Sequence, residues 1–231
     1  MPTFLTRLTN LLFPRQCAIC GKRLLLGEEL FCSSCNIQLP RTGYALSPYD
    51  NPMAQLFWGR FPLEKAVALI HYNSHTQISK PFYDMKYHNM PEIGVSLGVF
   101  AAKELMNSDF FNDIDIIVPM PLARWRKMER GYNQSEKIAF GVSHITHIPM
   151  AANCLKRTVF KESQTNKNKE EREENVKDCF ILHKPQRLQG KHVLIIDDIV
   201  TTGATCHSAA KEIMKAEGTK ISIMSIGVTK E

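Results

Sequence analysis

The 231-residue chain contains no apolar run near the roughly 18 residues that a membrane-spanning helix needs. Its first residues carry Phe4, Leu5, Leu8, Leu11, Leu12 and Phe13 at helical spacing, with Arg7 among them. That stretch is too short and too broken for a secretory leader, and no small-residue cleavage site follows it. It is expected to form a short amphipathic helix packed on the body, with a helix lying on a membrane surface as the alternative. The expected location is the cytoplasm. There is no G-x-G-x-x-G dinucleotide fingerprint and no Gly-Lys-Ser/Thr ending of a classical P-loop. Internal repeats and low-complexity tracts are also missing, and the 8 histidines form no metal-ligand pattern. A structural role is expected for His71, His75 and His88. Charge is not strongly one-sided: 29 basic against 23 acidic side chains leave +6. Such a balance suits phosphate-bearing ligands or nucleic acid without requiring either. Apolar residues, at 44%, suffice for a buried core.

Cysteine is present in an odd number, 7, and four of these form two tight pairs, Cys17-x2-Cys20 and Cys32-x2-Cys35. In a chain without an export signal the compartment is expected to be reducing, so metal binding outranks disulfides. Four thiolates make the closed tetrahedral set of a structural zinc site; two disulfides or an iron–sulfur cluster are the alternatives. The N-terminal zone lacks enough apolar residues to fold unaided, so Zn2+ would supply much of its stability. No catalysis is expected there, because four protein ligands leave no open position. Cys154, Cys179 and Cys206 are scattered and read as core or loop residues.

Composition divides the chain into three zones: residues 1–45 with the cysteine pairs, a Pro/Gly-rich linker over 46–62, and 63–231, where strand-like and helix-like segments alternate. Strands are expected at 67–72, 115–118, 154–160, 179–182, 192–196 and 221–228. Helices are expected at 76–86, 91–105, 133–142 and 205–217. This order implies an α/β fold with a mostly parallel sheet flanked by helices, carrying a small N-terminal four-cysteine subdomain.

The segment from Val193 to Thr205 is the most informative. Val193-Leu194-Ile195-Ile196 is the continuous aliphatic run of a strand buried on both faces. Asp197 and Asp198 follow where the strand is expected to leave the sheet, and ligands of open α/β sheets bind at strand carboxyl ends. Next comes Thr201-Thr202-Gly203-Ala204-Thr205, then a helix. A small-residue turn feeding a helix N-terminus aims backbone N–H groups and the positive end of the helix dipole at one point, a setting for a phosphate. The two carboxylates suit vicinal ribose hydroxyls or Mg2+, directly or through water. The plain alternative is a solvated Asp pair beside a Thr/Gly turn.

A second loop follows the strand at 115–118. Arg124, Arg126, Lys127 and Arg130 outnumber Glu129 there, a cluster able to hold a pyrophosphate or a nucleic-acid backbone, or simply a solvated helix start. Between Lys156 and Asp178 the chain is dense in both charges and nearly free of apolar side chains, so mobility without ligand is expected.

Val193–Thr205 resembles the phosphoribosyl pyrophosphate (PRPP) loop of type I phosphoribosyltransferases. Val118-Pro119-Met120-Pro121-Leu122, the spaced arginines and Arg130-Gly131-Tyr132-Asn133-Gln134 together resemble the ComF family, which takes its name from competence for DNA uptake. Met85-Lys86-Tyr87-His88, the polar insert and the paired cysteines agree, and the likeness spans roughly residues 10–230. Tyr132 stands where that family more often has Phe, and Lys167 where an aliphatic residue is expected. The resemblance implies that a 5′-phosphate sits on Thr201–Thr205 with the ribose hydroxyls at Asp197 and Asp198, which would be the catalytic pair if the chain is an enzyme. It implies Mg2+ bound with PRPP and an insert whose Gln164, Arg172 and Asn175 order on ligand binding. Lys86, Tyr132 and Asn133 join the site by the same likeness. In function it implies handling of incoming single-stranded DNA during natural transformation, beside competence-machinery proteins such as a DNA helicase. Trp58, Trp125 and Tyr132 are the aromatics available for base stacking, and Arg15, Lys22 and Arg23 add charge beside the cysteines. The alternative is an active transferase that moves phosphoribose from PRPP to a nitrogen acceptor.

Overall fold

The computed structural model describes residues 14–158 and 180–229. The amphipathic helix expected before Pro14, Cys179, and most of the polar insert, with Gln164, Lys167, Arg172 and Asn175, lie outside the described residues.

In chain order the elements are α1 (Ser33–Ile37), α2 (Pro52–Gln55), β1 (Lys65–Tyr72), α3 (Lys80–Tyr87), α4 (Pro91–Leu105), β2 (Ile116–Pro119), α5 (Arg124–Arg130) and α6 (Gln134–Thr146). Then come β3 (Leu155–Arg157), β4 (Phe180–Leu182), β5 (His192–Val200), α7 (Ala204–Ile213) and β6 (Lys220–Thr229). Four strands form one sheet in the order β1-β6-β5-β2, every neighbouring pair parallel. The short β3 and β4 pair antiparallel beside it, with Leu155 opposite Leu182 and Arg157 opposite Phe180. This is the type I phosphoribosyltransferase-like α/β fold.

Alternation along the strands sorts the sheet into two apolar faces. Val67, Ile117, Leu194, Ile196, Met224 and Ile226 point to one, covered by α3, α4 and α6. Ala66, Ala68, Ile116, Val118, Val193, Ile195, Ile221 and Ile223 point to the other, covered by α7, α2 and the β3–β4 pair. On the first face α4 and α6 touch backbone to backbone. A Cβ on Gly98 would stand 2.0 Å from the Ile138 carbonyl oxygen, and one on Gly141 2.2 Å from that of Val95. Glycine at both positions is what permits the approach.

The cysteine segment joins the same first face. Cys17, Ile19, Leu24, Leu30, Phe31 and Leu39 are buried in one cluster with Val67 and Leu97. Phe31 meets Phe100 edge to face at 5.2 Å. Arg41 pairs with Glu104 at 2.8 Å and Lys103 with Glu29 at 2.6 Å.

Two of the differences from expectation bear on the site. The helix expected over 76–86 is a 3-10 turn, Gln77–Ser79, followed by α3, because Pro81 suits only a first helical turn. The strand expected to end at Ile196 continues to Val200, since the ten-residue β6 goes on supplying partners: Ser225 opposite Asp197, Gly227 opposite Ile199, Val228 opposite Val200. Among the described residues no helix is long and apolar enough to cross a membrane.

Candidate functional site

The carboxylate pair therefore sits within β5 rather than beyond it, and the sheet ladder fixes its backbone. Asp197 Oδ1 accepts from Ser135 Oγ at 3.0 Å and from the Asp198 N–H at 2.9 Å. Burial, and then the charge of Asp198, push the Asp197 carboxyl up to about 7, against the pull of those two donors and of Lys86. Asp198 Oδ2 lies 2.7 Å from Lys86 Nζ, and its other oxygen accepts from the Ile199 N–H at 2.8 Å. Lys86 is set in the last turn of α3, where the buried Asp84 binds Lys80 at 2.5 Å and His88 at 2.8 Å and so holds the helix end.

These groups open on a cavity of about 500 Å³. Its wall includes Lys86, Tyr87, Trp125, Arg126, Arg130, Asn133, Gln134, Ser135, Arg157, Asp197, Asp198 and Thr205. Of the basic loop, Arg126 and Arg130 reach the cavity, four residues apart on one face of α5. Arg124 and Lys127 do not line it; Lys127 lies 3.7 Å from Glu136 instead. The Arg126 guanidinium lies 5.0 Å from the Trp125 ring centre and that of Arg130 5.5 Å from Tyr87, both cation–π distances.

Of the turn expected to hold a phosphate, Thr205 lines the same cavity, while Thr201, Thr202 and Ala204 are exposed. Gly203 is buried with φ 74°, stands just before α7 and lies on Phe57, whose Cε1 would be 2.7 Å from any Cβ there. Arg60 donates to the Thr202 carbonyl at 3.3 Å. Phe57, Met53 and Ala54, from the Pro/Gly-rich stretch, have no exposure.

Tyr132 is 8% exposed and donates its hydroxyl to the Met85 carbonyl, and burial pushes the phenol up to about 12. Its ring is spent on packing and is not offered for base stacking, in contrast to Trp58 and Trp125. Asn133 is buried as well: its amide donates to the Met120 carbonyl at 2.9 Å, and its oxygen caps α6 at the Ser135 N–H, 3.2 Å away. Ser135, Gln134, Arg157 and Tyr87 line the cavity as well; Gln134 and Tyr87 stand in the quoted motifs without a site role, and nothing in the sequence pattern marks Ser135.

In the N-terminal segment, the ligand atoms of Cys17, Cys20, Cys32 and Cys35 all lie within 4.8 Å of one another. Cys20 and Cys32 sulfurs are 3.7 Å apart, and all four thiols are free. Tetrahedral sulfurs at about 2.3 Å from zinc stand roughly 3.8 Å apart, so the donor set fits one metal ion. Burial alone would raise the Cys17 thiol, yet the N–H groups of Cys20, Cys32 and Ile19 bring it down to about 7. Burial, then the neighbouring thiols, push Cys35 up, and a cation among the sulfurs would relieve that. Cys154 and Cys206 are buried in the core, away from this group.

Residues 94–228 match the phosphoribosyl transferase domain, and the chain belongs to that family. Over most of its length it is similar to "DNA utilization protein YhgH" of Escherichia coli K12, 27% identical over 213 residues, covering 87% of this chain and 92% of that one. "Competence protein F" of Haemophilus influenzae is 25% identical over 213 residues, 88% of this chain and 92% of the relative. "Competence protein ComFC" of Bacillus subtilis is 33% identical over a shorter stretch of 100 residues, 43% of this chain and 38% of the other. The protein is thus a ComF/YhgH-type member of the family, with an N-terminal four-cysteine cluster. Among solved structures, glutamine PRPP amidotransferase from B. subtilis superposes with a TM-score of 0.42 at 18% identity, over 62% of this chain and 30% of that one.

Proposed function

We propose that the chain binds PRPP with Mg2+ in the cavity at the end of β5 and acts in DNA utilisation, handling incoming single-stranded DNA in the cytoplasm. The observation that carries the reading is the convergence of Asp197 and Asp198 with Lys86, Arg126, Arg130 and Thr205 on one cavity. Carboxylates suited to a diol and cations suited to phosphates line it together. Asp197 and Asp198 would take the ribose hydroxyls or Mg2+, and Mg2+, when bound, would neutralise phosphate charge. Thr201–Thr205 would take the 5′-phosphate at the start of α7. The names of the relatives, "DNA utilization" and "competence", support the biological role. Exposed Trp125, Tyr87 and Tyr83 beside Arg126 and Arg130 suit stacking on unpaired bases. In this reading residues 1–45 hold Zn2+ on the four cysteines and 63–231 bind the ligand, with Phe57 of the 46–62 stretch packed beneath Gly203; a competence helicase is the kind of partner implied.

Calorimetry of PRPP with Mg2+ on the wild type and on Asp197→Ala/Asp198→Ala tests the site, and a transformation assay of the same variant tests the biology. Unchanged binding in the variant overturns the site. Lost binding with intact transformation separates the site from DNA uptake. Single-stranded DNA affinity should fall steeply with salt, as phosphate contacts require; absent or salt-insensitive binding rejects the DNA role.

A second reading, transfer of phosphoribose from PRPP to a nitrogen acceptor, is favoured by one observation. Asp197, with its carboxyl near 7, is poised to exchange a proton at neutral pH. Release of pyrophosphate with a screened amine or base would support it, and binding without turnover would reject it.

A further inference from the structure

Three consecutive polar residues, Asn133, Gln134 and Ser135, open helix α6, and all three are buried. Two have structural duties. Asn133 holds the Met120 carbonyl and caps the helix, and Ser135 donates to Asp197. Gln134 is 2% exposed, forms part of the cavity wall, and its side-chain amide nitrogen has no hydrogen-bond partner. A buried donor left unpaired costs stability, and an apolar residue of the same shape would avoid that cost. The position is also rigid. The close approach of α4 and α6 at Gly98 and Gly141 fixes the helix, and Gly94 lies against the Gln134 backbone, where an added Cβ would be 3.7 Å from its carbonyl oxygen.

Resting on the PRPP reading above, we propose that Gln134 is a diphosphate-binding residue: its amide donates to an oxygen of the pyrophosphate arm at the N-terminal end of α6. Gln134 forms part of the cavity wall while its amide nitrogen is buried, and the terminal torsion of a glutamine is soft, so rotation about it can bring the N–H to a ligand. Charge selects the arm. The start of a 13-residue helix carries a partial positive charge, and Lys86, Arg126, Arg130 and Arg157 outnumber Glu129 on the same wall, so an anion belongs there. Asp197 and Asp198 would repel that anion and take hydroxyls instead. The 5′-phosphate is assigned to the start of α7, a different helix. The diphosphate is the phosphorylated group left for α6.

Calorimetry of inorganic pyrophosphate, ribose 5-phosphate and PRPP, each with Mg2+, on the wild type and Gln134→Met tests this. The expected result is about a tenfold or greater loss for pyrophosphate and PRPP, ribose 5-phosphate within about twofold, and a melting temperature no lower than wild type. Unchanged pyrophosphate and PRPP affinity overturns the inference. So does an equal loss for ribose 5-phosphate, which marks a purely structural role. Should the variant fold poorly, nuclear magnetic resonance on the wild type decides: the Gln134 side-chain NH2 signals should move with pyrophosphate and stay with ribose 5-phosphate, and unmoved signals reject the contact. A wild type that binds neither PRPP nor ribose 5-phosphate strikes the reading of the whole cavity instead, and Gln134 with it.

Discussion

Lys86 Nζ stands 2.7 Å from Asp198 Oδ2, joining the end of α3 to a carboxylate of the central strand, with 23% and 16% of the two side chains exposed. A part-buried pair of this kind is worth more to keep whole than to form, because removing one member strands the other. Lys86→Met should destabilise by about 1–2 kcal/mol. Adding Asp198→Asn to it should cost little further, a non-additivity that urea melts of the two single variants and the double variant would measure.

Asp197 sets a pH dependence of stability. Its carboxyl is near 7 in the folded chain, raised by burial and by Asp198, against about 3.9 when unfolded. Between those values the folded state keeps a proton that the unfolded state releases. Stability should therefore fall as pH rises from about 4 to about 7 and level off above. Asp197→Asn should remove that fall. Comparing the two proteins by denaturant melts at pH 5 and pH 8 isolates the effect from other titrating groups, and parallel curves would reject it.

Gly203 at φ 74° rests on Phe57, so Gly203→Ala meets both a disfavoured backbone and a ring 2.7 Å away. A loss of about 2 kcal/mol is expected. Phe57→Leu in the same chain should return part of it by clearing the ring, whereas Phe57→Leu alone should destabilise. Thermal melts of the set check the sign of the coupling.

Where α4 crosses α6 there is no slack. Gly98→Ala and Gly141→Ala place a methyl 2.0 and 2.2 Å from a carbonyl oxygen of the facing helix. Each should cost more than about 3 kcal/mol, seen as loss of soluble protein or of cooperative melting.

One Zn2+ per chain is expected by elemental analysis. Cys20→Ser or prolonged chelation should remove it and lower the melting temperature of the whole chain in one transition, because the cysteine segment shares its core with β1 and α4. A separate, earlier transition would show an independent unit.

Much of the fold and of the carboxylate site is legible in the sequence. The aliphatic run 193–196 and its acidic pair announced a buried parallel strand, and Pro91 marked the start of α4 to the residue. What stayed hidden depends on contacts distant in sequence. That Ser135 would meet Asp197 has no local signal. Phe57 sits in a stretch that composition alone reads as a joint, yet it forms the floor beneath Gly203. Tyr132 was grouped with exposed aromatics because no pattern revealed that Met85 would offer its hydroxyl a carbonyl. The division of the basic loop was recoverable: Arg126 and Arg130 share a helix face by their spacing of four, and charge counting overlooked it.

The two faces of the sheet carry different elements, the cysteine segment with α3, α4 and α6 on one and α7 on the other, but they share a single layer of backbone. Leu194 and Ile196 pack toward the cysteine side, Val193 and Ile195 toward α7, and all four precede Asp197 on the same strand. Opening either face frees the same ladder amides to exchange with solvent. If zinc fills the cysteines and PRPP the cavity, metal supply would govern how long the ligand stays bound, with no atom at the carboxylates changed: a chain short of zinc would lose its grip because it would spend more time unfolded.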